Sequence, residues 1–296
     1  MMLRLNKISI LGICFSLLLT NCIAQDKTII EESININSHQ IHFYCFGSGP
    51  QTIILDVGIG ESYKDWLPLL EKVSSKAQIF CYDRAGYGQS EKGSFPRNCN
   101  QVADELKLLL NKANIKGPYI LLGHSLGAAN LQVFATKNMK DIAGIILLDP
   151  PPLNWILGKG FPELSKMAQA ETKKFESIAE SMQNSKDESQ IKRADFFYTL
   201  ASEHKEMFSS SAQQLASIKS FKDIPLIVIA SGKLNPAFGT DSTAFQIFWN
   251  EQCKVLASKS SIGKYILAVE SSHHIYKDNP TIVLNALNKL LSKGKE

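Results

Sequence analysis

An excess of one charge is missing from this sequence: 32 Lys and Arg stand against 28 Asp and Glu, a net +4 over 296 residues. A balance so small and evenly spread argues against a nucleic-acid surface. Repeats and low-complexity tracts are also missing, as is any cluster with metal-ligand spacing, and nothing implies a metal or a cofactor. Cysteine is sparse, with six in all. Four lie beyond residue 24: Cys45, Cys81, Cys99 and Cys253. In an oxidising compartment they allow three disulfide pairings. Cys45 and Cys81 fall in strand-like runs, so buried free thiols are the competing reading.

The long apolar run at residues 8–19 follows Arg4 and Lys7 and precedes Cys22-Ile23-Ala24. A positive start, an apolar core too short to span a bilayer comfortably and small residues before Gln25 read as a secretory signal. Cleavage after Ala24 is expected. Leu19-Thr20-Asn21-Cys22 also approximates a lipidation box, in which Cys22 would tether the chain to a membrane; an uncleaved anchor is the third option. Each places the protein outside the cytoplasm, in a periplasmic or extracellular space. Removing residues 1–24 takes away two cations and no acid, lowering the net charge from +4 to +2. The remainder is long enough for one domain with a large core.

What is present centres on residues 119–135. An apolar strand, residues 119–122, enters Gly123-His124-Ser125-Leu126-Gly127, and a small-residue helix follows. Gly-x-Ser-x-Gly between a strand and a helix is the pattern of a nucleophile elbow. The turn is strained, and side chains at the two flanking positions would strike neighbouring backbone, so glycine occupies both. Ser125 opens a helix, whose free N–H groups favour developing negative charge. His124 points away from the serine on such a turn, and packing or hydrogen bonding beneath it is the expected role.

In this arrangement the chain resembles the α/β-hydrolase family, and the resemblance extends over residues 28–294. It implies an α/β fold with a mostly parallel eight-stranded sheet flanked by helices. The expected division is a core of residues 25–152 and 221–296, with a helical cap at 153–220 inserted between strands six and seven. Residues 28–36 and 40–46 alternate as two antiparallel strands around a turn that makes His39 and His42 hairpin residues. A strand from residue 52 then ends in Val57-Gly58-Ile59-Gly60-Glu61, where relatives build an oxyanion loop, often with His-Gly in place of Val57-Gly58. The resemblance assigns its donors to the backbone N–H groups of Ile59 and Leu126. Glu61 is read as a solvent-facing loop acid or a substrate contact, and Asp83 and Arg84 as loop braces. The insertion carries helical stretches near 162–183, 187–203 and 211–219. Its apolar residues, Trp155, Phe161, Phe197 and Phe208 among them, are expected to divide between core and pocket.

The family's usual acid is missing after strand seven. That loop, from Gly232, has its first acid at Asp241, in the position of a helix N-cap. Asp149 instead stands where strand six (residues 142–148) is ended by Pro150-Pro151-Pro152. A minority of the family takes its acid there, so Asp149 is the leading candidate and Asp241 the alternative. His273, seven residues before Pro280, matches the histidine loop, with His274 as runner-up. The implied chemistry is a Ser125-His273-Asp149 triad cleaving a carboxylic ester, of a lipid or another small acyl compound, through an acyl-enzyme. Another bond (peptide, thioester, lactone or C–C), or a non-catalytic binding role for the same shell, is the alternative.

Overall fold

Alternation inside the buried strands gives the sheet two apolar faces. The computed structural model describes residues 29–293, so the export segment read at residues 1–24 lies outside the described residues. The strands are β1 (Ile30–Ile36), β2 (His39–Gly47), β3 (Thr52–Asp56), β4 (Gln78–Tyr82), β5 (Tyr119–His124), β6 (Ile142–Leu148), β7 (Leu226–Ser231) and β8 (Lys264–Ala268). They form one sheet in the order β1-β2-β4-β3-β5-β6-β7-β8. β1–β2 and β2–β4 pair antiparallel, and every later pairing is parallel. Every residue of β3, β5 and β7 is buried, as expected of strands covered on both sides. Ile54, Phe80, Leu121, Leu147 and Val228 enter one core, whereas Ile53, Ile79, Leu122, Ile146 and Ile229 enter the other.

The helices are α1 (Leu67–Leu70), α2 (Cys99–Lys112), α3 (Leu126–Lys137), α4 (Leu153–Ile156), α5 (Pro162–Met182), α6 (Glu188–Met207), α7 (Ser210–Ser217), α8 (Ser242–Ala257), α9 (Ile275–Asp278) and α10 (Pro280–Lys293). Leu106, Leu131, Leu215 and Cys253 bring α2, α3, α7 and α8 onto the first face. Leu70 and Leu287 bring α1 and α10 onto the second. Each such aliphatic side chain, fully buried, contributes about 1.5–3 kcal/mol, so the two layers fix the strand ends firmly. The insertion between β6 and β7 is α4 to α7. α5, α6 and α7 follow the expected stretches, with α6 running on to Met207, and the short α4 is an addition to them. Asp187 caps α6 by accepting the Ser189 N–H at 2.9 Å, which satisfies an end amide.

The cysteines settle on one of the two readings: all four are buried and free. Cys45 stands opposite Phe80 and Cys81 opposite Tyr44 across β2 and β4. A one-residue offset puts the two thiols on opposite faces of the sheet, and they lie in different cores. Among the described residues no helix is long and apolar enough to cross a membrane.

Candidate active site

Parallel strands bring their carboxyl ends to one edge, and the chemistry-bearing residues collect there. Glu61 follows β3, Ser125 follows β5, Asp149 follows β6, Ser231 closes β7 and His273 follows β8. These strands are adjacent in that order across the sheet.

Ser125 has φ 51° and ψ −117° between β5 and α3, a region that side chains rarely adopt and that stores strain. A Cβ on Gly123 would lie 2.6 Å from the Ala128 Cα, and one on Gly127 would strike the Asp56 carbonyl oxygen. The two glycines let the elbow close. Ser125 N–H donates to the Leu148 carbonyl at 3.0 Å, tying the serine to the strand end that carries Asp149. Leu126 is the first residue of α3, where main-chain N–H groups have no partner within the helix.

Asp149 also has positive φ, 45°, and is 2% exposed. Its Oδ1 accepts the Ser231 N–H at 2.8 Å and its Oδ2 the Ser231 hydroxyl at 3.0 Å. The His273 Nδ1 is 2.7 Å from Oδ2. Gln246 of α8 donates to the Ser231 carbonyl at 2.8 Å, which holds Ser231 in turn. Asp241 has no part in this arrangement. It is exposed, and although it stands at the N-cap of α8 it makes no capping bond. That position faces solvent because the turn before α8 is held by Ser242, whose hydroxyl donates to the Asn235 and Gly239 carbonyls.

The His273 imidazole is 35% exposed. Burial disfavours its charged form, but the hydrogen bond and charge of Asp149, with the charge of Glu61, outweigh burial and hold it above its ordinary value. Trp249 of α8 lies edge-on to the ring at 6.0 Å, and Trp155 and Phe208 of the insertion extend this aromatic group. His274 turns elsewhere: its Nε2 is 3.4 Å from Glu61 Oε1, and its side chain is about half exposed. Burial, with the neighbouring charge of His273, lowers its affinity for a proton.

The loop after β3 is braced from both sides. Arg84 donates to the Val57 carbonyl at 2.7 Å, the Gly58 carbonyl at 3.1 Å and Asp56 Oδ1 at 2.6 Å. The amides flanking Ile59 are both engaged, Gly58 N–H by Glu61 at 2.8 Å and Gly60 N–H by the Tyr87 hydroxyl at 3.1 Å. Glu203 of α6 accepts from Arg84 Nε at 2.9 Å and from Tyr87, so the insertion reaches the loop through a buried ion pair. Of the two readings of Glu61, the solvent-facing loop acid does not hold. Its side chain is 11% exposed, because Gly58 and the buried His124 fold it inward. His124, beneath the turn as expected, is fully buried.

Sequence reading missed Ser231, Trp249 and Glu203. A serine closing strand seven, where an acid is expected just beyond, was the available sign for the first. Trp249 and Glu203 look like ordinary members of amphipathic helices until the fold is assembled.

A family model described as the alpha/beta hydrolase fold matches residues 51–185. The chain is 32% identical over 238 residues to the uncharacterized protein YqjL of Bacillus subtilis, covering 80% of this chain and 82% of that one. Several other curated relatives are matched over less than half of their own length. Among solved structures, the Cif epoxide hydrolase from Acinetobacter nosocomialis superposes with a TM-score of 0.66 at 15% identity, over 89% of each chain. A thermophilic esterase from Thermogutta terrifontis gives 0.62 at 17% identity, over 90% of this chain and 98% of that one. The chain belongs to the alpha/beta hydrolase fold family, a family of hydrolytic enzymes.

Proposed function

We propose that the protein is an exported serine hydrolase that cleaves a carboxylic ester by way of an acyl-enzyme. The observation that carries this reading is the 2.7 Å contact between His273 Nδ1 and Asp149 Oδ2, at the sheet edge where Ser125 occupies its strained turn. Asp149 fixes the imidazole with Nδ1 protonated, leaving Nε2 to take the Ser125 proton. The serine oxygen attacks the acyl carbon. The N–H groups of Ile59 and Leu126 receive the oxyanion, each worth about 3 kcal/mol. The imidazolium then protonates the departing alcohol, and water, deprotonated by the same ring, releases the acid.

Helices α4 to α7 serve as the cap, and Trp155, Phe208 and Trp249 favour an apolar acyl or alkyl group near His273. Export follows from the leader at residues 1–24, with a membrane tether if Cys22 is lipidated. The test is covalent labelling of the purified protein by a fluorophosphonate, together with turnover of p-nitrophenyl esters of graded acyl length. Ser125→Ala abolishes the label and lowers turnover by roughly a millionfold. Unchanged turnover in that variant ends the proposal.

A further inference from the structure

Both ring nitrogens of His124 face acceptors. Nε2 is 2.9 Å from the His273 carbonyl oxygen, which can only accept, so Nε2 carries a proton. Nδ1 is 2.9 Å from Glu61 Oε2. A neutral imidazole has one N–H, already committed at Nε2, so a second proton lies between Nδ1 and the carboxyl. Gly58 N–H donates to the same oxygen, Oε2, at 2.8 Å, and that bond favours the carboxylate. Burial alone pushes the Glu61 carboxyl up, but the hydrogen bond and charge of His124, the Gly58 amide and the charge of His274 outweigh it and hold Glu61 below its ordinary value. The second proton is therefore shared within the Glu61–His124 pair.

We infer that Glu61 and His124 form a buried, hydrogen-bonded carboxyl–imidazole clamp, a pair of positioning residues that fixes the oxyanion loop and the His273 loop against the nucleophile elbow. This rests on the serine-hydrolase reading above. The pair joins three loops at once: Glu61 holds the Gly58 amide after β3, His124 is the residue before Ser125, and its Nε2–H holds the backbone of His273 after β8. There is no slack at the junction, since a Cβ on Gly58 would come within 3.0 Å of the His124 Nδ1 and 2.9 Å of the Glu61 Cδ. The ring is walled by Trp66 at 5.8 Å and by Tyr276 of α9 at 5.6 Å. The titratable groups facing it are Glu61, His273, His274 and Tyr276. Neutralising Glu61 also keeps an unpaired carboxylate away from the place where the oxyanion forms. Glu61 thus braces the loop after β3 from the side of the elbow.

The test uses the full chain, p-nitrophenyl acetate as substrate and nitrogen-15 spectra of the histidine rings. The clamp requires that the His124 Nδ1 signal show a proton shared with Glu61, and that Glu61→Gln abolish that signature. Glu61→Gln lowers kcat by about 100-fold, the scale of a slight misplacement of reacting groups, with KM changed far less. Glu61→Asp recovers part of the loss. His124→Gln loses more than Glu61→Gln, because it leaves the carboxylate unpaired; if that variant does not fold, the Glu61 series and the wild-type spectrum still decide. A His124 Nδ1 with no hydrogen bond to Glu61 in the wild type, or wild-type kcat in Glu61→Gln, overturns the clamp. Absence of fluorophosphonate labelling in the wild type overturns the hydrolase reading instead, and the ring spectrum is independent of it.

Discussion

At the scale of single residues, the candidate site turns on which carboxylate meets His273. Asp149 does, at 2.7 Å, while Asp241 is exposed at the start of α8. Asp149→Asn is expected to lower kcat by about four orders of magnitude, and Asp241→Asn to leave it unchanged; steady-state rates on one ester separate the two. The proton affinity of His273 gives a second prediction. In the proposed triad His273 must be neutral to accept the serine proton, and its charged form is favoured relative to an ordinary imidazole. The rate kcat/KM therefore rises with pH through a limb above about 6.5, the unperturbed value. A pH–rate profile with its limb at or below that value contradicts the pairing. For stability the sign is opposite: the contribution of this pair is present below the unfolded imidazole's value and fades as pH rises through the folded one.

Among the elements, the inserted helices are bound to the core by charge as well as by apolar packing. Glu203 of α6 and Asp56 at the end of β3 both pair with Arg84, and all three are buried. Removing Glu203 leaves Asp56 to balance Arg84 but strips the buried Arg84 Nε and Tyr87 hydroxyl of their acceptor. Glu203→Ala is thus expected to destabilise the fold by about 3 kcal/mol, measured by urea unfolding, and to loosen Gly60 through the loss of the Tyr87 contact. A change below about 0.5 kcal/mol, the scale of a surface substitution, would show that the insertion is held by its apolar contacts alone. The strands are legible in the sequence, because short apolar runs such as residues 142–148, ended by Pro150-Pro151-Pro152, suit a strand covered on both faces. The helices of the insertion were legible from composition. Their seating was not, for amphipathic periodicity names a buried face without saying what it meets.

For the whole molecule, the buried cysteines make a prediction that needs no substrate. Cys45 and Cys81 occupy opposite faces of the sheet, and all four thiols are free. Adding a reductant is expected to leave the thermal midpoint unchanged; a drop on reduction would require a disulfide, and none joins the described residues.

The order of the elements, the glycines that permit the elbow and the histidine near the far end of the chain are local properties, and sequence determined them. Local sterics and hydrophobic period act within a few residues, so they can be read in one dimension. Which acid faces His273, that Ser231 holds it, and that Glu61 turns inward onto His124 were decided by the tertiary structure. Those contacts join residues 63 to 149 positions apart, and only the stacking of β3, β5, β6, β7 and β8 side by side brings their ends within hydrogen-bonding reach.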